Sequence, residues 1–383
     1  MGGTLSMRKS ALRILLPLLV AALLAPLFPA PAMAGTPEFV NLYDACDYLR
    51  VCMDQRMTEM ELFLTADSCP RWTDEQLKEA LEDTLSYCSH HLVRVTRYAD
   101  RSADVKISAI YCDAVRMADA YFSGDASGLS AEEAECLAMA VEIAAQLKAQ
   151  YGGGLELELA IYDTICANMA YQTAPVGSDA FSRLTTVCSA MKDHVGNCQA
   201  YSRMFYLLGT LAGLKVGFLS GWYADQETGQ HIWNTIELDG QLLMVDVTDG
   251  DIDSAAADGP QVYYRCFNIG WDRVPESGWN WWPPACTDRV SNTTVPSLSY
   301  YNNQPGFGGC FYSLSDAADA CIQQAFAGYM QYQFWLPNQV ASDTEMHQAL
   351  RDAANRWNHA ASWRVWWWNA ENGTTFHVQF DSF

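Results

Sequence analysis

Within 198–246 the chain sets a thiol, an imidazole and a carboxylate where each suits nucleophilic acyl chemistry. Cys198 lies in "VGNCQAYSRM", directly after Gly196 and Asn197. Asn197 is a good helix N-cap, and 199–211 is broadly apolar through Met204, Phe205, Leu207, Leu208 and Leu211. Gly213 can end that helix. Cys198 then takes the first helical position, where unsatisfied backbone N–H groups and the helix dipole favour a thiolate. The same N–H groups could stabilise the oxyanion of a tetrahedral intermediate. A single cysteine before a helix is weak evidence by itself, since burial or a disulfide explains most of them.

The base and its partner come from "QHIWNTIELDGQLLMVDVT". Asp239-Gly240 is a two-residue hairpin turn between alternating stretches. Pairing Leu238 with Gln241 sets Trp233 opposite Asp246 and His231 opposite Thr248. The strand period of two turns His231, Trp233 and Asp246 to one face. Diagonal neighbours there have Cβ atoms ~7–8 Å apart or less, a gap that an imidazole and a carboxylate can bridge. Cys198, His231 and Asp246 thus read as nucleophile, base and orienting carboxylate. Trp222 and Trp233 are the candidate substrate-groove residues, the second on the triad face.

These motifs resemble the transglutaminase-like superfamily, especially its bacterial secreted members, over about 156–270. Gly196-Asn197-Cys198-Gln199-Ala200-Tyr201 is similar to the family's G-x-C-x-G-Y-like helix start. His231-Ile232-Trp233-Asn234 and Asp246-Val247-Thr248 resemble its H-A-W-N-like strand and D-x-T-like strand end. The resemblance implies that Cys198, His231 and Asp246 are the catalytic triad. It also implies an α+β, papain-like core, with the cysteine helix packed on an antiparallel sheet that carries the other two. Ala200 stands where glycine is usual, Ile232 where alanine is, and Asp249 where an aromatic is common. Members include cross-linkers, peptidases and deglycosylating amidases, so the substrate stays open. Three readings remain: a thiol acyltransferase or hydrolase acting on peptide or glutamine amides through a thioester, a cell-wall or peptide-specific cysteine peptidase, and a non-catalytic surface binding or structural protein.

The elements that must position these residues sit in an exported chain. Arg8, Lys9 and Arg13 precede "ILLPLLVAALLAPLF", and Ala32 and Ala34 form a small-residue cleavage site, so 1–34 reads as a signal peptide. No later stretch offers the ~18 apolar residues of a membrane span, so none is expected after cleavage. Removing the three basic residues of the leader takes the net charge from −22 to −25, which disfavours nucleic acid as a partner. A protein or peptide substrate, including cell-wall peptide, is the expected partner. In an oxidising compartment the 13 cysteines should mostly pair, and an odd count leaves one over. No zinc-type C-x-x-C spacing occurs, and "DVTDGDID" does not fit a calcium loop, so neither metal nor cofactor is expected.

Two regions flanking the core look alike. "MTEMELFLTAD", "TDEQLKEALEDTLSYC" and "LVRVTRYADRSADVKISAIYC" read as strand, helix and hairpin. "GYMQYQFWLPN", "SDTEMHQALRDAANRW" and "ASWRVWWWNAENGTTFHVQF" follow the same order. Capping boxes open both helices, Thr73 with Gln76 and Ser342 with Glu345. The chain is expected to divide into the signal peptide 1–34, a βαββ-like module at 35–115, the catalytic domain at 116–310 and a second βαββ-like module at 311–383. The Trp279, Trp281 and Trp282 cluster reads as a Pro-braced loop covering the core, with an aromatic wall for ligand as the alternative.

Overall fold

The computed structural model describes residues 36–67, 83–222, 230–251, 311–337, 339–370 and 373–383, with the shorter pieces 73, 77–78, 81, 262–264, 266–271, 290–292 and 298. The leader, the Trp279–282 cluster and most of the helix expected after Thr73 lie outside them.

The first module begins with β1 (Glu38–Phe39) and the helix Leu42–Asp54. Asn41 caps that helix by accepting from the Asp44 N–H. It buries Leu42, Ala45, Leu49 and Met53, the 3–4 spacing of one helix face. Strands β2 (Glu59–Leu64), β3 (Cys88–Arg97) and β4 (Ala103–Tyr111) complete a sheet in the order β1-β2-β4-β3. In β2 the apolar Met60, Leu62 and Leu64 are buried, while Glu59 and Glu61 face water, as strand alternation requires.

Helices follow at Asp113–Ser123, Ala131–Tyr151 and Leu155–Asn168. The second opens on a complete Ser130–Glu133 capping box and stops at Gly152. A short parallel pair joins β5 (Ala170–Tyr171) to β6 (Val195–Gly196), with the helix Asp179–Leu184 and the π-helical turn Ser189–Asp193 between them. Then comes the helix Cys198–Ala212, capped by Asn197 and ended by Gly213 in the left-handed conformation. It lies on an antiparallel sheet of β7 (Lys215–Trp222), β8 (Gln230–Leu238) and β9 (Gln241–Val245). Two polar contacts lock helix to sheet, and a third ties β8 to β7 beside them. Ser202 Oγ donates to the Ile232 carbonyl at 2.9 Å, and Asn234 Nδ2 donates to the carbonyls of Ser202 at 3.1 Å and Gly217 at 3.0 Å.

The second module carries the helix Leu314–Phe326, β10 (Gln331–Pro337), the helix Asp343–Arg356, β11 (Ser362–Ala370) and β12 (Gly373–Ser382). Its order, β10-β12-β11, repeats β2-β4-β3, with the last strand in the middle. Each hairpin also slips register at the start of its first strand, between Cys88 and His90 and between Ser362 and Trp363. The two ends differ in how they join the rest. One apolar core runs unbroken from Leu49, Leu62 and Ile107 into Ile161, Phe205 and Leu243, whereas Phe334, Leu350 and Phe376 belong to a separate one. Gln333 Nε2 donates to the Val262 carbonyl at 2.6 Å, one tie between the second module and the central region. The whole is a mixed α+β fold with several small sheets.

Candidate active site

Cys198 occupies the first position of its helix and is partly exposed. The approach to it depends on Gly196: a Cβ there would lie 2.4 Å from the Ala200 Cβ. The Asn197 side chain accepts from the Gln199 N–H at 3.0 Å. The Cys198 N–H stands at a helix start, where no earlier helical carbonyl reaches it.

His231 sits near the start of β8, opposite Gly221 of β7, and is buried. Its Nε2 meets Asp246 Oδ2 at 2.7 Å. With Nε2 occupied, Nδ1 is the nitrogen left for the Cys198 thiol, which lies near enough to raise the pKa of this imidazole. Burial alone would push the imidazolium pKa down. The charge and hydrogen bond of Asp246, joined by the nearby Cys198, outweigh it and hold His231 up to about 10.

Asp246 is held on every side. The hairpin register runs as the Asp239-Gly240 turn dictates, Leu238 opposite Gln241 and Asn234 opposite Val245. β9 then ends, and Asp246 does not continue the strand. It caps a helical turn, Val247–Gly250, its Oδ1 accepting from the N–H groups of Thr248 at 2.8 Å and Asp249 at 3.3 Å. The expected pairing of His231 with Thr248 is therefore absent, because Thr248 has turned away to be capped. The Asp246 N–H donates to the Cys266 carbonyl at 3.0 Å, and the Asp246 carbonyl accepts from Tyr162 Oη at 3.0 Å. The Tyr263 carbonyl lies 2.8 Å from the same phenol oxygen, so the two carbonyls share its one proton. Gly250 leaves room for this phenol, since a Cβ there would fall 1.9 Å from the Tyr162 oxygen. Gly250→Ala should therefore cost about 1–3 kcal/mol, read as a lowered denaturant midpoint at unchanged slope.

Trp233 needs correcting. The sequence puts it on the triad face as a groove residue, yet its ring is 0% exposed. It packs with Leu219 of β7 and Met244 of β9, and with Cys266, Ile269 and Val290, which cover this face of the hairpin. It also stacks against the His231 ring, centroids 5.7 Å apart and planes 20° apart. Trp233 thus supports the imidazole from beneath and cannot touch substrate. The Trp222 side chain lies outside the described residues. A ring that sequence reasoning missed does face outward: Tyr171, 43% exposed, near enough for the charges of Cys198 and Asp246 to raise its pKa. Burial is the larger cause, and the phenol is pushed up to about 12.

Two buried networks lie behind the site. Arg203 pairs with Asp113 at 3.3 Å, both almost wholly buried, and donates to the Thr185 carbonyl at 2.6 Å and Gln199 Oε1 at 3.0 Å. Asp113 Oδ2 accepts from the Val187 N–H at 2.7 Å. The first turn of the Cys198 helix is thereby tied to the segment that feeds it. A lone arginine on an otherwise apolar helix face was the visible signal for this pair.

The other network is Glu158 with Asn268, whose Nδ2 donates to Glu158 Oε2 at 2.8 Å and to the Leu298 carbonyl at 3.0 Å. It pins the 266–269 segment that receives the Asp246 N–H. Complete burial pushes the Glu158 carboxyl from 4.5 up to about 8, offset only in part by Asn268. Between those values the folded chain keeps a proton that the unfolded chain has released. Stability should therefore fall as pH rises from about 4.5 to 8. Glu158→Gln should flatten that slope in urea midpoints measured across the window.

Residues 138–247 match the model of the Transglutaminase-like superfamily. No curated protein matches the chain in sequence. Among solved structures, one titled a TGase aligns with a TM-score of 0.28 at 8% identity, over 53% of this chain and 55% of its own length. A proposed cysteine protease from Cytophaga hutchinsonii aligns at 0.25 and 10% identity, over 50% of this chain and 65% of its own. The periplasmic domain of TgpA from Pseudomonas aeruginosa, bound to ethylmercury, aligns at 0.25 and 14% identity, over 42% and 65%. The chain thus spans 55% of the TGase and 65% of the other two.

Proposed function

We propose that the protein is an exported thiol acyltransferase or hydrolase that acts on peptide or glutamine amides through Cys198, His231 and Asp246. The observation that carries this reading is the buried His231–Asp246 contact at 2.7 Å beside a cysteine at a helix N-terminus. In such an arrangement the Cys198 thiolate and the His231 imidazolium form an ion pair. The sulfur attacks the amide carbonyl carbon, and the oxygen takes up the negative charge near the Cys198 N–H. His231 passes its proton to the leaving nitrogen, the C–N bond breaks, and a thioester remains on Cys198. An incoming water or amine then gives a proton to His231 and attacks the thioester carbon, and the C–S bond breaks. Asp246 keeps its hydrogen bond to Nε2 throughout and steadies the imidazolium. Tyr171, exposed at the mouth, is the residue best placed to meet the substrate chain.

Export fits the leader-like 1–34 segment and the disulfide at Cys46, whose partner is none of the free cysteines among the described residues. The substrate is then a protein or peptide outside the cytoplasm, cell-wall peptide included. The experiment that tests the reading incubates the purified chain with a mixed pool of glutamine-containing peptides, with and without a primary amine. Ammonia release or amine incorporation supports acyl transfer at a side-chain amide. A new peptide N-terminus identifies a peptidase instead. No product from any peptide, with Cys198 shown to be unmodified, would favour a binding protein that keeps the core as scaffold.

A further inference from the structure

Cys136 and Cys188 have no part in the chemistry above. Cys136 is on the helix Ala131–Tyr151, and Cys188 leads into the π-helical turn Ser189–Asp193. Both are unpaired and buried, at 0% and 4% exposure, and each lies near enough to shift the pKa of the other. Ion pairs hold the two segments in this register on either side. Arg183 reaches Glu132 at 2.9 Å, and Lys192 reaches Glu135 at 2.6 Å. The backbone next to Cys188 is fixed as well, by the Val187 N–H on the buried Asp113 carboxylate.

We propose that Cys136 and Cys188 oxidise to a disulfide that staples the segment leading into Cys198 onto the helix Ala131–Tyr151. A small-molecule disulfide, such as oxidised glutathione, is the oxidant. One protein thiolate attacks it, giving a mixed disulfide and one released thiol. The second protein thiolate then displaces the other half. One S–S bond is broken and one is formed, two small thiols leave, and the protein loses two hydrogens. Burial pushes both thiols up in pKa, so the exchange belongs to folding, before the segment closes. The bond has two consequences. It closes a loop from 136 to 188, and it removes the cysteine nearest in sequence to Cys198 from any dead-end pairing with the nucleophile. Neither depends on what Cys198 does to a substrate.

The test refolds the full chain in a glutathione redox buffer, blocks remaining thiols with N-ethylmaleimide in denaturant, and maps the unreduced digest. The expected result is a pair of peptides joined through Cys136 and Cys188 that separates on reduction, with maleimide on Cys198. Maleimide on both Cys136 and Cys188, or a bond from either to another cysteine, would overturn the proposal. Cys136→Ala and Cys188→Ala give a second readout. Each should lower Tm by about 5 °C under oxidising conditions and by little with reductant present. An equal deficit in both conditions means lost packing rather than a lost bond, and also overturns it.

Discussion

Cys198→Ala should lower amide turnover by at least about 10³-fold while leaving Tm within about 2 °C of the parent. The two halves of this expectation have separate causes. In the proposed reaction the thiol is the group that forms the thioester, so its removal takes away the nucleophile. Its contribution to the fold is small, because it is partly exposed at the first turn of a helix that Asn197 caps. Measured turnover and a thermal melt on the same preparation decide both. A variant with parental activity would remove Cys198 from the chemistry.

Asp246→Asn should be nearly as severe, with a loss of about 10³–10⁴-fold and a displaced pH profile. The carboxylate and Cys198 together hold the His231 imidazolium up to about 10 against burial that pushes it down. The direction follows from that. A histidine raised in the folded state stays charged below its folded pKa and loses its proton as pH rises through it. The ion pair, and with it the stability His231 gains from Asp246, is fully present below about 6.5 and lost as pH rises towards 10. The parent should therefore keep activity well into alkaline solution, with its upper limb near pH 10. Asparagine keeps the shape and removes the charge, so the limb should move down by more than one pH unit. Rates measured from pH 5 to 11 on both proteins check it. An unmoved limb would mean that His231 is not the group that titrates.

Sequence patterns made the local parts of this site legible. Asn197, Gly213 and the Asp239-Gly240 turn each have one strong local preference, and the structure uses all three. The turn adopts positive φ at both residues, 49° and 75°, which is the two-residue geometry its type favours. From that turn alone the facing of His231 and Asp246 follows. Distance in sequence hid the rest. Trp233 reads as open because the hairpin has an uncovered face, and the cover arrives only with Cys266, Ile269 and Val290. Asp246 looks like the end of a strand, and its second role as a cap depends on the turn that follows it. Tyr162 reaches the Asp246 carbonyl across 84 positions, and Arg203 reaches Asp113 across 90. Such contacts leave little mark on a local pattern beyond a polar group in an apolar stretch.

The most direct test of the Cys198–His231 pair is the rate of iodoacetamide labelling of the native protein at pH 6, with peptide mapping, in parent and His231→Ala. If the imidazolium arms the thiol, label concentrates on Cys198 and its rate falls about tenfold or more when His231 is removed. Equal rates in the two proteins, or label that goes mainly to other cysteines, would contradict the account.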